Sequence, residues 1–212
     1  MTDILKTIKE MVIGGKFKDI EEQVQRAVDS GADLNRLIND ALISAMDIVG
    51  KKFADGDIYV PEMLVSATTM KRGLDIIKPL LRSAEVENRG TILMGTVKGD
   101  LHDIGKNLVT MMLEGAGFRI IDLGVNVEIE NLIDVLKKEK ADILGLSALL
   151  TTTMPEMKKV IETLKAEGLR DQVKVIVGGA PIDQGFADKI GADGYGADAA
   201  EAVQLARRLV AN

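Results

Sequence analysis

The pattern of apolar and polar positions divides the chain into two parts. Up to about residue 82, apolar residues recur every three or four positions, the spacing that lines one face of an α-helix. The segment "DLNRLINDALISAMDIVGKKFADG" is a clear case, with Asp33 as its predicted N-cap. Pro61 stands in the first turn of the next segment, where a missing N–H costs little. We therefore predict four helices joined by short turns, a small antiparallel bundle.

From Thr91 onwards, short apolar runs alternate with helical segments. The runs are "TILMGTV", "RIIDLGV", "ADILGLSAL", "VKVIVGG" and the weaker "GYGA". Their near-continuous apolarity predicts parallel strands covered on both faces, and the alternation predicts a doubly wound, flavodoxin-like α/β domain. The polar stretch "RSAEVENRG" is the predicted linker. We therefore expect a helical-bundle domain at 1–88 and a Rossmann-like α/β domain at 89–212.

Composition narrows the classes of function. Of the 212 residues, 46% are hydrophobic and 28% are charged, values typical of a globular protein. The absence of cysteine excludes disulfides, thiolate metal sites and a cysteine nucleophile, and indicates a reducing cytoplasm. We expect neither a signal peptide nor a membrane span, because no run reaches roughly 18 apolar residues. The formal charge of -6, with acids and bases interleaved, argues against nucleic-acid binding.

The predicted architecture locates a candidate site before any motif is considered. Ligands of open α/β sheets bind in the crevice beyond the carboxyl ends of the strands. Here those ends are "KGDLHD", "SALLTTTM", "GGAP" and "YGADA". We expect these four segments to converge in space.

His102, the only histidine of the chain, lies in the first of these segments. A lone histidine is more often a hydrogen-bonded structural residue than a ligand. Asp100, however, is close enough for its carboxylate to hold one ring nitrogen and leave the other free for a metal. One histidine is too few for zinc or non-haem iron, whereas a metal enclosed in a macrocycle needs only an axial ligand.

Hydroxyl and glycine residues fill the other strand ends. Ser147 and Thr151–Thr153 either line a ligand or, for the threonines, cap the helix that begins near Pro155. Gly178 and Gly179 either let a bulky ligand approach the backbone or form a tight turn.

Together these motifs resemble the cobalamin-binding corrinoid proteins and the cobalamin module of methionine synthase. The matching residues are Asp100, His102 and Gly105 of an Asp-x-His-x-x-Gly signature, Ser147 and Leu149 of Ser-x-Leu, and the pair Gly178-Gly179. A helical bundle followed by an α/β domain is also the family's layout, so the resemblance covers nearly the whole chain.

The resemblance implies a cofactor site. In that family cobalamin binds with its dimethylbenzimidazole base detached and a histidine as the lower ligand of cobalt. His102 matches this ligand, Asp100 its hydrogen-bonded carboxylate, and Thr153 a hydroxyl of the relay that is a serine in methionine synthase. Further residues expected to contact the cofactor and its nucleotide tail are Leu101, Asp103, Ile104, Gly105, Ser147, Leu149, Thr151, Gly178, Gly179, Tyr195, Gly196 and Ala197. The bundle is expected to cap the upper corrin face, with Met63 and Val65 as candidates that otherwise belong to ordinary bundle core.

The resemblance also implies a methyl-carrying subunit rather than a complete catalyst. Cob(I)alamin takes a methyl group from a donor, and methylcobalamin gives it to an acceptor, while the protein supplies axial ligand, orientation and cover. One expected partner is a donor-specific methyltransferase of methylamine, methanol, methoxyarene or betaine type. The others are a methyltransferase acting on tetrahydrofolate or coenzyme M, and a reductive activase. For these partners to reach cobalt, the bundle is expected to swing off the corrin, with the linker as hinge.

Two alternatives stay open. One is a cobalamin-dependent sensor or regulator, a class with a similar bundle and the same motif, although this chain has no added basic helix-turn-helix segment. The other is a flavodoxin-like or response-regulator-like domain without cobalt, in which His102 would be incidental.

Overall fold

The computed structural model describes residues 2–80 and 89–211, and the chain divides into two compact units. The described helices up to residue 80 belong to the first unit, and the sheet belongs to the second. The predicted linker spans residues 82–90, and its first seven residues, 82–88, lie outside the described residues. The boundary between residues 88 and 89 therefore stays a prediction.

Amphipathic helices build the first unit, as the three-and-four spacing predicts. The Asp33 carboxylate accepts a hydrogen bond from the Arg36 N–H at 2.9 Å, which confirms the predicted N-cap. The segment Leu37–Ile43 is π-helical, a feature the periodicity does not reveal because apolar residues still face inwards. The helices are α1 (Thr2–Ile13), α2 (Ile20–Asp29), α3 (Leu34–Arg36), which leads through the π-helical segment into α4 (Ser44–Ala54), and α5 (Val60–Ile77), followed by a 3-10 turn (Lys78–Leu80).

The two residues proposed as a cap differ in exposure. Met63 is fully buried, and Val65 is exposed on the same helix. Their role towards a cofactor stays a prediction.

Five parallel strands form the sheet of the second unit, in the order β2-β1-β3-β4-β5, which confirms the predicted α/β fold. This is the flavodoxin-like order, whose switch point lies between β1 and β3. The strands are β1 (Thr91–Thr96), β2 (Arg119–Asp122), β3 (Ile143–Ser147), β4 (Lys174–Gly178) and β5 (Gly194–Tyr195). The helices between and after them are α6 (Ile104–Gly115), α7 (Ile129–Glu139), α8 (Met154–Ala166), a 3-10 turn (Arg170–Gln172), α9 (Gln184–Ile190) and α10 (Ala199–Val210).

Burial along the strands explains most of their apolar pattern. Every residue of β1 is buried, as expected for a strand covered on both faces. Strand β2 differs, because Arg119 and Asp122 at its ends are exposed at the edge of the sheet. At the carboxyl edge, Thr96, Ser147 and Gly178 lie in register across three adjacent strands, so the segments that follow them begin side by side.

None of the helices in the described part of the chain is long and apolar enough to span a membrane.

Candidate functional site

The loops that follow β1 and β3 meet at the carboxylate of Asp100, which is completely buried. One oxygen, Oδ1, lies 2.7 Å from Nδ1 of His102 and accepts the His102 backbone N–H at 3.1 Å. The other oxygen, Oδ2, accepts the Thr153 hydroxyl at 2.7 Å and the backbone N–H groups of Leu149 at 2.8 Å and Leu150 at 3.2 Å. The fold thus brings together His102, Asp100 and Thr153, the three residues for which the family resemblance implies a relay.

These hydrogen bonds decide the charge of Asp100. Burial alone raises the pKa of a carboxyl, but the hydrogen bonds from Leu149, Thr153 and His102 outweigh burial and hold the pKa of Asp100 well below its ordinary value. The group is therefore an ionised carboxylate near neutral pH and can act only as an acceptor.

The carboxylate in turn orients the imidazole of His102. Because Asp100 only accepts, Nδ1 carries a proton, and the neutral ring presents a lone pair at Nε2. The His102 side chain is 50% exposed, and no described residue forms a hydrogen bond with Nε2. The buried Thr96 hydroxyl also donates to the His102 carbonyl at 3.0 Å. The half-exposed ring is thus held at Nδ1, and Nε2 is available to a metal.

Thr153 is the residue before α8, where a threonine often caps a helix. Its side chain makes no capping hydrogen bond, and its hydroxyl lies 2.7 Å from Asp100 and 2.9 Å from the Leu150 carbonyl. A hydroxyl donates one proton at a time, and the charged acceptor is favoured. Thr151 is exposed, and no described hydrogen bond joins its side chain, or that of Ser147, to Asp100.

Exposed apolar side chains lie on the two loops that meet at Asp100. Leu101 and Ile104 flank His102 in the chain and are 71% and 83% exposed, and Leu149 and Leu150 of the β3–α8 loop are also exposed. Gly105 borders open space, since a Cβ added there would meet no atom within 4 Å. Large exposed aliphatic side chains around one free imidazole nitrogen suit a broad apolar ligand that carries its own metal.

The donor set fits that kind of ligand. Within residues 2–80 and 89–211, no group of three or more His, Cys, Asp or Glu side chains could hold a metal ion. Asp103, next to His102, is exposed and accepts a hydrogen bond from the Asn107 side chain at 3.0 Å. The residues present therefore fit cobalamin, whose cobalt needs one axial ligand from the protein and whose corrin ring needs an apolar bed.

Gly178 and Gly179 end β4 in a turn. The Ile182 N–H donates to the Gly179 carbonyl at 2.9 Å. Gly179 has a φ of 132°, and a Cβ there would overlap with the carbonyl oxygen of Ala148. The missing side chain at Gly179 therefore makes room for the chain's own backbone, as expected if these glycines form a tight turn. A contact between Gly179 and a cofactor stays a prediction.

Tyr195, Gly196 and Ala197 lie beside the end of β4. Tyr195 pairs with Val177, whose carbonyl accepts the Gly196 N–H at 3.1 Å. Ala197 is exposed, and its N–H donates to Glu201 at 3.1 Å. This segment shares the carboxyl edge with the His102 loop, as the sheet predicts, and its role towards a nucleotide tail stays a prediction.

Sequence reasoning missed three residues of the site. Thr96 bonds to the His102 carbonyl, Leu150 donates its N–H to Asp100, and Asn126 bonds to the loop that carries Asp100. Thr96 ends a buried strand, so its position could have indicated it. The contact of Asn126 joins two loops that are far apart in the chain, and neither loop alone indicates it. The contribution of Leu150 comes from its backbone and leaves no signal in the side chain.

Comparison with known proteins gives the family. Residues 90–204 match a family described as "B12 binding domain", and residues 4–78 match a second family with the same description. The chain is 41% identical over 210 residues to a corrinoid protein of Desulfitobacterium hafniense, covering 98% of this chain and 97% of that protein. It is also 41% identical over 210 residues to dimethylamine corrinoid protein 1 of Methanosarcina acetivorans, covering 99% of this chain and 98% of that protein.

Solved structures give the same result. The methanol:cobalamin methyltransferase complex of Methanosarcina barkeri matches with a TM-score of 0.89 and 33% identity, covering 99% of this chain and 80% of that chain. A cobalamin-binding protein of Desulfitobacterium hafniense matches with a TM-score of 0.78 and 33% identity, covering 97% of this chain and 98% of that chain. Family match, relatives of equal length and site chemistry lead to one conclusion: the chain belongs to the corrinoid proteins, and its cofactor is cobalamin or a related corrinoid.

Proposed function

We propose that this chain is a methyl carrier, with His102 as the lower axial ligand of a base-off corrinoid. The observation that carries the proposal is the half-exposed imidazole held at Nδ1 by a buried, ionised Asp100, on a loop that also carries the exposed Leu101 and Ile104. When bound, the corrinoid supplies a cobalt centre that accepts and releases a methyl group.

The chain's own residues do the remaining work. Asp100 fixes the ring orientation and tautomer of His102, and Thr153 and the Leu149 N–H keep Asp100 in place. Leu101 and Ile104, on the loop that carries His102, provide exposed apolar surface for the corrin ring. Through the hydrogen bonds that Asp100 accepts from Thr153 and from His102, the protein can hold a proton on the imidazole when His102 leaves the metal.

The proposed partners are two methyltransferases and a reductive activase. A relative of this chain is named a dimethylamine corrinoid protein, another a trimethylamine corrinoid protein, and a structural match belongs to a methanol:cobalamin methyltransferase complex. These names support a methylamine or methanol methyltransferase as the donor partner. A second methyltransferase, acting on tetrahydrofolate or coenzyme M, would take the methyl group away.

A labelled methyl group tests the carrier role. The reduced holoprotein is mixed with the methyltransferase encoded beside it and with carbon-14 dimethylamine, trimethylamine or methanol. We expect one donor to place label on the chain in gel filtration, and an acceptor methyltransferase with its acceptor to remove it. The exposed-site variant Asp134→Asn should be labelled like the wild type, and His102→Ala should be labelled much more slowly.

Two results would contradict the proposal. Label that never associates with the chain, with any of these three donors, would contradict a methylamine or methanol carrier. Equal labelling of His102→Ala and the wild type would exclude the ligand role of His102.

A further inference from the structure

Asn126, in the loop between β2 and α7, holds the segment that carries Asp100. Its side-chain Oδ1 accepts the Gly99 N–H at 2.7 Å. Its backbone N–H donates to the Asp100 carbonyl at 2.9 Å. Asn126 thus binds two consecutive residues of the loop, and the second of them, Asp100, carries the carboxylate that orients His102.

The backbone of Asn126 is itself unusual. Its φ of 52° lies in the left-handed region, which asparagine adopts more readily than most residues other than glycine. This conformation allows the side-chain carbonyl and the backbone N–H to bind the same loop. Asparagine therefore supplies both the backbone shape and the acceptor at this position.

The loop of Asn126 is itself held by hydrogen bonds to neighbouring elements. Asp122, at the end of β2, accepts the Gly124 N–H at 2.9 Å and pairs with Nζ of Lys106 at 2.5 Å. Thr96 donates its N–H to the Gly124 carbonyl at 3.0 Å and accepts the Val127 N–H at 3.0 Å. Hydrogen bonds thus fix the segments on both sides of Asn126.

We propose that Asn126 is a positioning residue for the axial ligand: by fixing Gly99 and Asp100, it holds the carboxylate where His102 can reach cobalt. This inference rests on the proposed ligand role of His102. Asn126 acts through the backbone of the Asp100 loop, and its loss widens the range of positions that the carboxylate and the imidazole sample.

Two substitutions separate the acceptor from the backbone shape. Asn126→Gly removes the side-chain acceptor and keeps the left-handed conformation at no steric cost. Asn126→Asp keeps an oxygen acceptor for the Gly99 N–H, and its added charge is screened because residue 126 is exposed. A difference between the two variants therefore reports the hydrogen bond to Gly99.

The experiment is a double-mutant cycle read by affinity for hydroxocobalamin, from its change in visible absorbance. The proteins compared are the full-length wild type, Asn126→Gly, Asn126→Asp, His102→Ala, and His102→Ala combined with Asn126→Gly. We expect Asn126→Gly to raise the Kd about fivefold, the factor that one net hydrogen bond supplies, and Asn126→Asp to stay near the wild type. In the His102→Ala background, Asn126→Gly should have no further effect.

A second measurement, amide hydrogen exchange of the apoprotein, tests the hydrogen bond in the wild type itself. Amide hydrogen exchange at Gly99 should be slowed in the wild type and in Asn126→Asp, because this N–H is hydrogen-bonded to residue 126. Rapid exchange at Gly99 in the wild type would overturn the inference even if Asn126→Gly did not fold.

The outcomes separate the positioning role of Asn126 from the ligand role of His102. An equal loss of affinity with and without His102, or an Asn126→Gly variant that binds like the wild type, would overturn the positioning role alone. The same holds if Asn126→Asp loses as much affinity as Asn126→Gly. If His102→Ala changes neither the affinity nor the spectrum of the bound cofactor, the proposed ligand itself fails.

Discussion

At the scale of residues, Asp100 is the centre of the site. A buried charge costs several kcal/mol unless it is fully hydrogen-bonded. Asp100 meets that requirement with donors from two loops: His102 on its own loop, and Leu149, Leu150 and Thr153 on the other. The same bonds that make the charge tolerable also fix the imidazole, so stability and ligand geometry depend on one group.

The charge of Asp100 gives a prediction for pH. Asp100→Asn should lower the free energy of unfolding of the apoprotein by about 2 kcal/mol at pH 7, because charge-assisted hydrogen bonds are lost. The folded-state pKa of Asp100 is lowered, so this contribution is complete above the unfolded-state pKa of about 3.9 and fades as the pH falls below it. Urea unfolding of both proteins at a series of pH values measures the difference.

The control for this series is Asp134→Asn, a change at an exposed carboxylate of α7. It should alter the free energy of unfolding by less than about 0.5 kcal/mol. A difference between the wild type and Asp100→Asn that stayed constant down to about pH 3 would contradict an ionised Asp100 with a lowered pKa.

Thr153 allows a test of the relay that keeps side-chain size nearly constant. Thr153→Val removes the hydroxyl donor to Asp100 and should cost about 1–2 kcal/mol of unfolding free energy, whereas Thr153→Ser keeps the donor and should cost less. Thr152→Val, at an exposed neighbouring residue, is the matched control and should cost little. Equal stability of the Thr153→Val and Thr152→Val proteins in urea unfolding would refute the hydrogen bond to Asp100.

At the scale of elements, the turn after β4 must pack closely against the loop after β3. Gly179→Ala should destabilise the apoprotein by about 2 kcal/mol or more, since it combines overlap with the Ala148 carbonyl and a strained φ. Gly185→Ala, in α9, is a matched control that has room for a methyl group and should be neutral or slightly stabilising. Thermal unfolding of the two variants compares them, and equal melting temperatures would contradict the close packing.

The elements also show how far the sequence alone could lead. The buried strands and the helices between them follow from apolar periodicity, and the Asp33 cap follows from residue type. The π-helical segment Leu37–Ile43 could not be predicted, because its buried residues, at positions 37, 38, 41, 42 and 43, have the three-and-four spacing that also predicts an α-helix. The exposed ends of β2 depend on strand order, which local pattern does not encode.

The site divides in the same way. Asp100, His102 and Thr153 were found because their side chains carry the chemistry and family motifs mark two of them. Leu150 and Asn126 were not found. Leu150 acts through its backbone N–H, and Asn126 accepts a hydrogen bond from a loop that lies 27 residues earlier in the chain. Such contacts depend on how loops meet and not on the residues of either loop alone.

At the scale of the whole molecule, a small chain combines a helical unit with an α/β unit that carries the imidazole. Relatives of equal length are corrinoid proteins, so the same layout recurs over nearly the full chain. In the proposed function, the cofactor supplies the methyl chemistry, and the protein supplies one axial ligand, the carboxylate that orients it and an apolar surface. These roles depend on whether His102 binds cobalt.

The most direct test of that claim uses the fact that the chain has a single histidine. Protein produced with nitrogen-15 histidine is labelled at His102 alone, and it is loaded with unlabelled cobalamin and reduced to the cobalt(II) state. In the electron paramagnetic resonance spectrum, we expect the superhyperfine pattern of the axial nitrogen to change from a triplet in unlabelled protein to a doublet in labelled protein. A triplet that persists after labelling would place the cofactor's own base on cobalt, and an absent splitting would leave cobalt without a nitrogen ligand; either result would contradict the account.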